Sequence, residues 1–148
     1  MSAVTILRRF EWDSAHRIAG HEGMCKALHG HRYVAELEIG AVAMDALGRV
    51  VDFSVVKRIV GDWILANFDH TAIFDSHDDE PAVEMVKSLN ERLGKPSYLL
   101  SAPPTAEVIV EELAARVAPL LAEVQVELLS IRLWETPNCS ALWVRPKA

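Results

Sequence analysis

The stretch His29-Gly30-His31-Arg32-Tyr33-Val34-Ala35-Glu36-Leu37-Glu38-Ile39, HGHRYVAELEI, decides how this chain is read. His29, His31, Tyr33, Ala35, Leu37 and Ile39 share one parity, while Arg32, Glu36 and Glu38 share the other. That period of two belongs to a strand with one buried and one wet face. Upstream, Phe10, Trp12, Ser14, His16 and Ile18 alternate in the same way against Glu11, Asp13 and Arg17. A polar loop, AGHEGMCKAL, separates the two segments, and strands so connected pair most simply as an antiparallel hairpin. Such pairing brings His16, at the end of the first strand, to His29 and His31 at the start of the second. Gly30 adds no bulk between the histidines, so another backbone or a ligand can approach closely there.

Downstream, DALGRVVDFS reads as a turn and a short strand, after which Asp52 or Ser54 caps a helix. Phe53, Val56, Ile59, Val60, Trp63 and Ile64 form its apolar stripe up to about Asn67, and FDHTAIF ends it. DSHDDEP is turn-like, and AVEMVKSLNERLGKP reads as a shorter helix stopped by Gly94 and Pro96. SYLLSAPP is extended, because residues before proline avoid the helical region. Thr105 caps a further helix that ends near Pro119. VQVELLSIRLWE and SALWVRP are strands around the turn TPN. The order strand, strand, helices, strand, strand is that of an α+β fold: an antiparallel four-stranded sheet with helices on one face. At 148 residues the chain makes one domain, residues 1-148.

A net charge of -6 argues against a nucleic-acid surface, which needs a basic face. No run approaches the ~20 apolar residues of a membrane span, and the opening MSAVTILRRF carries no export signature. Two cysteines, Cys25 and Cys139, are too few for a disulfide framework and suit a reducing cytoplasm.

His16, His29 and His31 have the composition of a catalytic zinc site, three nitrogen ligands with a fourth position left for water or substrate. Zinc is favoured over iron because no carboxylate of matching parity completes a two-histidine facial triad. Gly23, His29, His31 and Glu36 also match the first half of a cupin motif, but Ala43 stands where its next glycine belongs. The helical later chain does not suit a jelly roll either.

Six segments in order resemble the 6-pyruvoyltetrahydropterin synthase and 6-carboxytetrahydropterin synthase family. They are SAHRI (14-18), CKALHGHRY (25-33), GRVVDF (48-53), FDH (68-70), PTAE (104-107) and ET (135-136). The short gap between Cys25 and His29 is most similar to the carboxytetrahydropterin branch of the queuosine pathway. The resemblance implies a T-fold whose sheets join across subunits into a barrel, commonly a hexamer with active sites at subunit interfaces. It implies a lyase acting on 7,8-dihydroneopterin triphosphate, giving 6-carboxytetrahydropterin, acetaldehyde and triphosphate. A pyruvoyltetrahydropterin product and a non-catalytic pterin- or purine-binding zinc scaffold are the alternatives.

By the same resemblance His16, His29 and His31 hold Zn2+, Cys25 is the catalytic base, and Asp69-His70 is the proton-transfer pair. Glu135 anchors the pterin, whose ring N-H and exocyclic amine form a two-donor edge that a carboxylate accepts in bidentate fashion. Thr105 and Glu107 are further pocket candidates, and N-capping alone also accounts for Thr105. The triphosphate needs cations, with Arg17, Lys26 and Arg32 as the candidates near the site in sequence. Residues from about 75 to 100 form an inserted helical segment, longer than compact family members carry at that point.

Overall fold

β-Branched and aromatic residues alternating with charged ones from Ile6 to Gly40 build the longest hairpin of the molecule. A computed structural model describes all residues, Met1–Ala148. β1 (Ile6–His16) and β2 (His29–Gly40) pair antiparallel, with Trp12 opposite Tyr33, Ser14 opposite His31 and His16 opposite His29. The expected parity holds up to Ile39. Phe10, Trp12, Ser14 and His16 are buried with Tyr33, Ala35, Leu37 and Ile39, while the alternate residues up to Glu38 are partly or fully exposed.

After β2 the chain turns back without forming the short strand expected around Val50 and Val51. α1 (Phe53–Val56) follows, N-capped by the Asp52 side chain, which accepts from the Ser54 N-H. It runs through a π-turn at Lys57–Gly61 into α2 (Asp62–Asn67). β3 (Thr71–Asp75), α3 (Pro81–Arg92), β4 (Tyr98–Leu100) and α4 (Ala106–Ala122) come next, then the closing hairpin β5 (Glu127–Thr136) and β6 (Cys139–Val144). α4 passes through Pro119 to Ala122 rather than ending there, because Leu121 in its last turn is fully buried.

The sheet has six strands, ordered β4-β3-β1-β2-β5-β6, and not four. The four antiparallel strands expected are present, and the two additions, β3 and β4, extend the β1 edge in parallel. Thr71-Ala72-Ile73-Phe74 is buried on both faces, the signature of a parallel strand flanked by neighbours, and so shows no alternation.

One core joins the inward residues of the sheet to Val56, Val60, Ile64 and Phe68 and to Ile109, Leu113, Val117 and Leu121 of α4. The helix α3 lies on the other face. Its Val83 and Val86 pack on Ala72, Phe74 and Ala15.

Candidate metal centre

Three aromatic rings stack beneath the end of the β1/β2 hairpin, Trp12 on Tyr33 at 5.6 Å and on Phe68 at 5.9 Å. The imidazoles of His16, His29 and His31 sit on this platform, with ring centroids 4.6 to 5.1 Å apart. One nitrogen of each lies within 4.8 Å of the others. Gly30 permits the closeness, since a Cβ there would meet the Ser14 carbonyl oxygen at 3.1 Å.

The tautomers follow from the backbone. His16 Nδ1 is 2.7 Å from the Pro104 carbonyl oxygen and His29 Nδ1 is 2.7 Å from the Ala27 carbonyl oxygen. A carbonyl oxygen only accepts, so each Nδ1 carries the proton and each Nε2 presents a lone pair. Those two Nε2 atoms face each other at 3.1 Å. Two acceptors at that distance repel unless a cation lies between them. Tetrahedral ligands at the usual Zn-N length are about 3.3 Å apart, so this donor set fits a zinc-sized ion with little rearrangement. The carbonyl bonds fix ring orientation as outer partners of metal-bound histidines do. Tyr33 adds its hydroxyl 3.3 Å from His16 Nδ1.

Burial is the first cause holding the pKa of both His16 and His31 below 6.5, and the neighbouring imidazoles add to it. The effect keeps the rings neutral, as ligands must be. Glu135 opposes it, with Oε1 3.6 Å from the buried and otherwise unpartnered His31 Nε2. A carboxylate therefore stands at the open side of the triad.

Cys25 lies in a single 3₁₀ turn, Met24–Lys26, and is half-buried. Its carbonyl accepts from the Ile18 N-H at 2.8 Å, which ties the turn to the chain leaving His16. The Cys25 sulfur is outside the cluster of ligand atoms, so the donor set is three nitrogens.

Asp69 and His70 form a second cluster, with Asp13. Neighbouring side chains in regular structure point apart, yet His70 Nδ1 is 2.8 Å from Asp69 Oδ1. His70 takes φ of 60°, left-handed backbone that is rare outside glycine, and this turns its ring back onto its neighbour. Asp69 also accepts from the Asp13 N-H at 3.2 Å, and the His70 N-H donates to the Asp13 carbonyl at 2.8 Å. The pair is thus clamped to β1, with an exposed imidazole opening onto a groove of about 640 Å³ between the sheet and α3.

Thr105 caps α4, its hydroxyl accepting from the Val108 N-H, and so sets Pro104 against His16. Glu107 is exposed and lines a groove along Ser140 to Trp143, apart from the triad. Of the three candidate cations, Arg17 pairs with Asp78 and Arg32 with Asp13 and Glu11, and Lys26 alone makes no ion pair. Sequence reasoning missed Tyr33 and the Pro104 carbonyl as supports of His16. PTAE carried the only signal for the second.

The family model described as 6-pyruvoyl tetrahydropterin synthase matches residues 5–145. A Rickettsia bellii protein named 6-carboxy-5,6,7,8-tetrahydropterin synthase is 42% identical over 133 residues, covering 89% of this chain and 94% of its own. A Haemophilus influenzae protein of the same name is 34% identical over 136 residues, covering 90% and 93%. Among solved structures, an uncharacterised Wolinella succinogenes protein superposes with a TM-score of 0.80 at 18% identity, covering 97% of this chain and 98% of its own. The Caenorhabditis elegans 6-pyruvoyl tetrahydropterin synthase superposes with a TM-score of 0.68, also at 18% identity, covering 97% and 96%.

Proposed function

The chain belongs to the 6-pyruvoyl tetrahydropterin synthase family, and we propose that it is the lyase that makes 6-carboxy-5,6,7,8-tetrahydropterin from 7,8-dihydroneopterin triphosphate, with Zn2+ as its metal. Acetaldehyde and triphosphate are the other products. The observation that carries the metal reading is the pair of opposed Nε2 lone pairs on His16 and His29. Identity of 42% across nearly the whole of both chains carries the choice of product.

His16, His29 and His31 hold the ion. When bound, it supplies Lewis-acid stabilisation for negative charge developing on the substrate's side-chain oxygens. The protein must also move protons between carbon atoms, which requires a base and an acid at fixed positions. Cys25 serves as the base through its thiolate. Its place outside the donor cluster leaves the sulfur available, whereas a purely structural site would recruit a nearby thiol as a fourth ligand. Asp69 holds His70 with the proton on Nδ1 and so leaves Nε2 to take up and return a proton. Glu135, beside Trp134 at the end of β5, accepts the pterin's paired N-H donors. Lys26, on the same turn as Cys25, is the cation for the triphosphate.

The His70 cluster and the metal triad are separate groups within one chain. This supports a homo-oligomer, a hexamer in our reading, in which one copy's His70 serves a neighbour's metal centre. The sheet ends in two strands, β4 and β6, each with an unpaired edge suited to joining another copy.

The test is incubation of the zinc-loaded protein with 7,8-dihydroneopterin triphosphate, with product masses and acetaldehyde measured. Carboxytetrahydropterin with acetaldehyde is expected. A pyruvoyl product reassigns the chain within the family, and no turnover overturns the enzymatic reading. Cys25→Ala is expected to keep its zinc and lose turnover, and loss of zinc instead would make the sulfur a ligand.

A further inference from the structure

The segment after β3 reaches the end of β1 through one buried carboxylate. Asp78, in the loop between β3 and α3, has a side chain only 2% exposed. Its Oδ1 accepts from the Glu80 N-H at 3.2 Å, which shapes the loop into α3. Its Oδ2 lies 3.1 Å from Arg17 Nε, at an angle too bent for a hydrogen bond, so the contact is held by charge. The loop is braced on its other side, where Asp75 accepts from the backbone N-H and Nδ1 of His77. Ser76 N-H also donates to the Leu100 carbonyl at 2.7 Å. The carboxylate is therefore presented from a stiff frame.

Arg17 occupies the point where β1 stops. The residue before it is His16, and the residue after it, Ile18, donates its N-H to the Cys25 carbonyl. Whatever fixes Arg17 fixes the metal ligand on one side and the turn carrying the thiol on the other. No other acid pairs with Arg17. We propose that Asp78 is a positioning residue for the metal centre: its charge pins Arg17 and thereby sets the spacing between His16 and the Cys25 turn. The segment after β3 is then part of the active-site scaffold. The proposal builds on the lyase reading for its catalytic consequence and on geometry alone for its structural one.

A charge contact makes a specific demand on substitutions. Asp78→Asn keeps the shape and the bond to Glu80 but removes the attraction. Arg17→Lys keeps the attraction and removes the guanidinium. Hydrogen exchange on the zinc-loaded protein reads the first consequence without reference to activity. In Asp78→Asn, amides 17 to 26 are expected to exchange about tenfold faster, while those of β5 are unchanged, as for a local opening. Steady-state kinetics reads the second, with kcat falling by about tenfold or more and KM held within about twofold, as for lost alignment of a reacting group. Arg17→Lys is expected to stay close to the parent in both. A merely stabilising pair would lower the melting temperature and leave kcat and local exchange at parent values, which overturns the proposal, as does an Arg17→Lys variant as impaired as Asp78→Asn. If the parent protein makes no product, the lyase reading falls, and the exchange experiment still decides whether Asp78 positions the turn.

Discussion

Removing one imidazole should affect the metal-free and metal-loaded protein in opposite directions. His16 and His29 present lone pairs at 3.1 Å, each locked by a carbonyl on its other nitrogen. The tetrahedral edge for zinc is about 3.3 Å, so the site needs to open by only a few tenths of an ångström. Binding free energy then goes into stability rather than rearrangement. At an ion concentration about a thousandfold above its Kd, the folded state gains about 4 kcal/mol. A chain of this size shifts by roughly 2–4 °C per kcal/mol, so loading should raise the melting temperature by roughly 8–16 °C. His29→Ala deletes a ligand and relieves the repulsion, at the loss of a part-exposed bond to Ala27. The metal-free variant should melt at or above the metal-free parent, and its response to zinc should largely vanish. Differential scanning calorimetry with EDTA and with zinc gives all four values. A parent that melts at the same temperature in both, or a variant that keeps the parent's zinc response, refutes the reasoning.

Acid should destabilise the metal-free protein in a defined window. Burial first holds the pKa of His16 and His31 below 6.5, so the unfolded chain takes up protons before the folded one does. Stability is complete above pH 6.5 and falls as pH drops from 6.5 toward the lowered values; urea midpoints that rise on acidification would contradict this. Asp69→Asn keeps an acceptor for the Asp13 N-H but removes the carboxylate that orients the His70 ring. Its kcat should drop by about 10²- to 10⁴-fold, with zinc content unchanged by elemental analysis. Glu135→Gln replaces a two-acceptor edge with one that is half donor, which should raise KM for the pterin by about tenfold or more, as for a lost charge-assisted bond. Steady-state kinetics at fixed zinc checks it, and an unchanged KM would remove Glu135 as the anchor.

The hairpin of β1 and β2 was legible because one of its faces is wet, so buried and exposed residues alternate. The same pattern brought the three histidines together, since parity put His29 and His31 on one face and antiparallel pairing brought His16 opposite. β3 was not legible for the converse reason. Its residues are buried on both sides between β1 and β4, no period remains, and FDHTAIF passed for the end of a helix. The direct contact between Asp69 and His70 was not legible because it comes with left-handed backbone at His70, and histidine is not a residue whose presence announces that conformation. Pro104 and Asp78 were hidden by distance along the chain. One acts through a backbone carbonyl 88 residues from His16, and the other through an ion pair that no local pattern encodes.

The buried polar side chains explain how a site at the end of one hairpin is registered against the helices. Ser14, His16 and Thr71 are buried as whole residues, backbone included, unlike Asp78, whose side chain alone is covered. The Ser14 hydroxyl donates to the carbonyl of Phe68, where α2 ends. The Thr71 hydroxyl shares its one proton between the carbonyls of Lys95 and Pro96, which follow α3. His16 donates to the carbonyl of Pro104, just before α4. Each partner is a carbonyl in a connection, where the backbone has no ladder to satisfy it and an unpaired buried oxygen would be costly. The result is a set of three clasps, one for each helical connection, closing on the strand pair β1 and β3 that meets the metal centre. His16 alone faces both ways, with one nitrogen on the clasp and the other turned toward His29 and the proposed metal site. Its ring is thereby oriented by the fold itself, so the helical layers set the geometry of the triad without touching it.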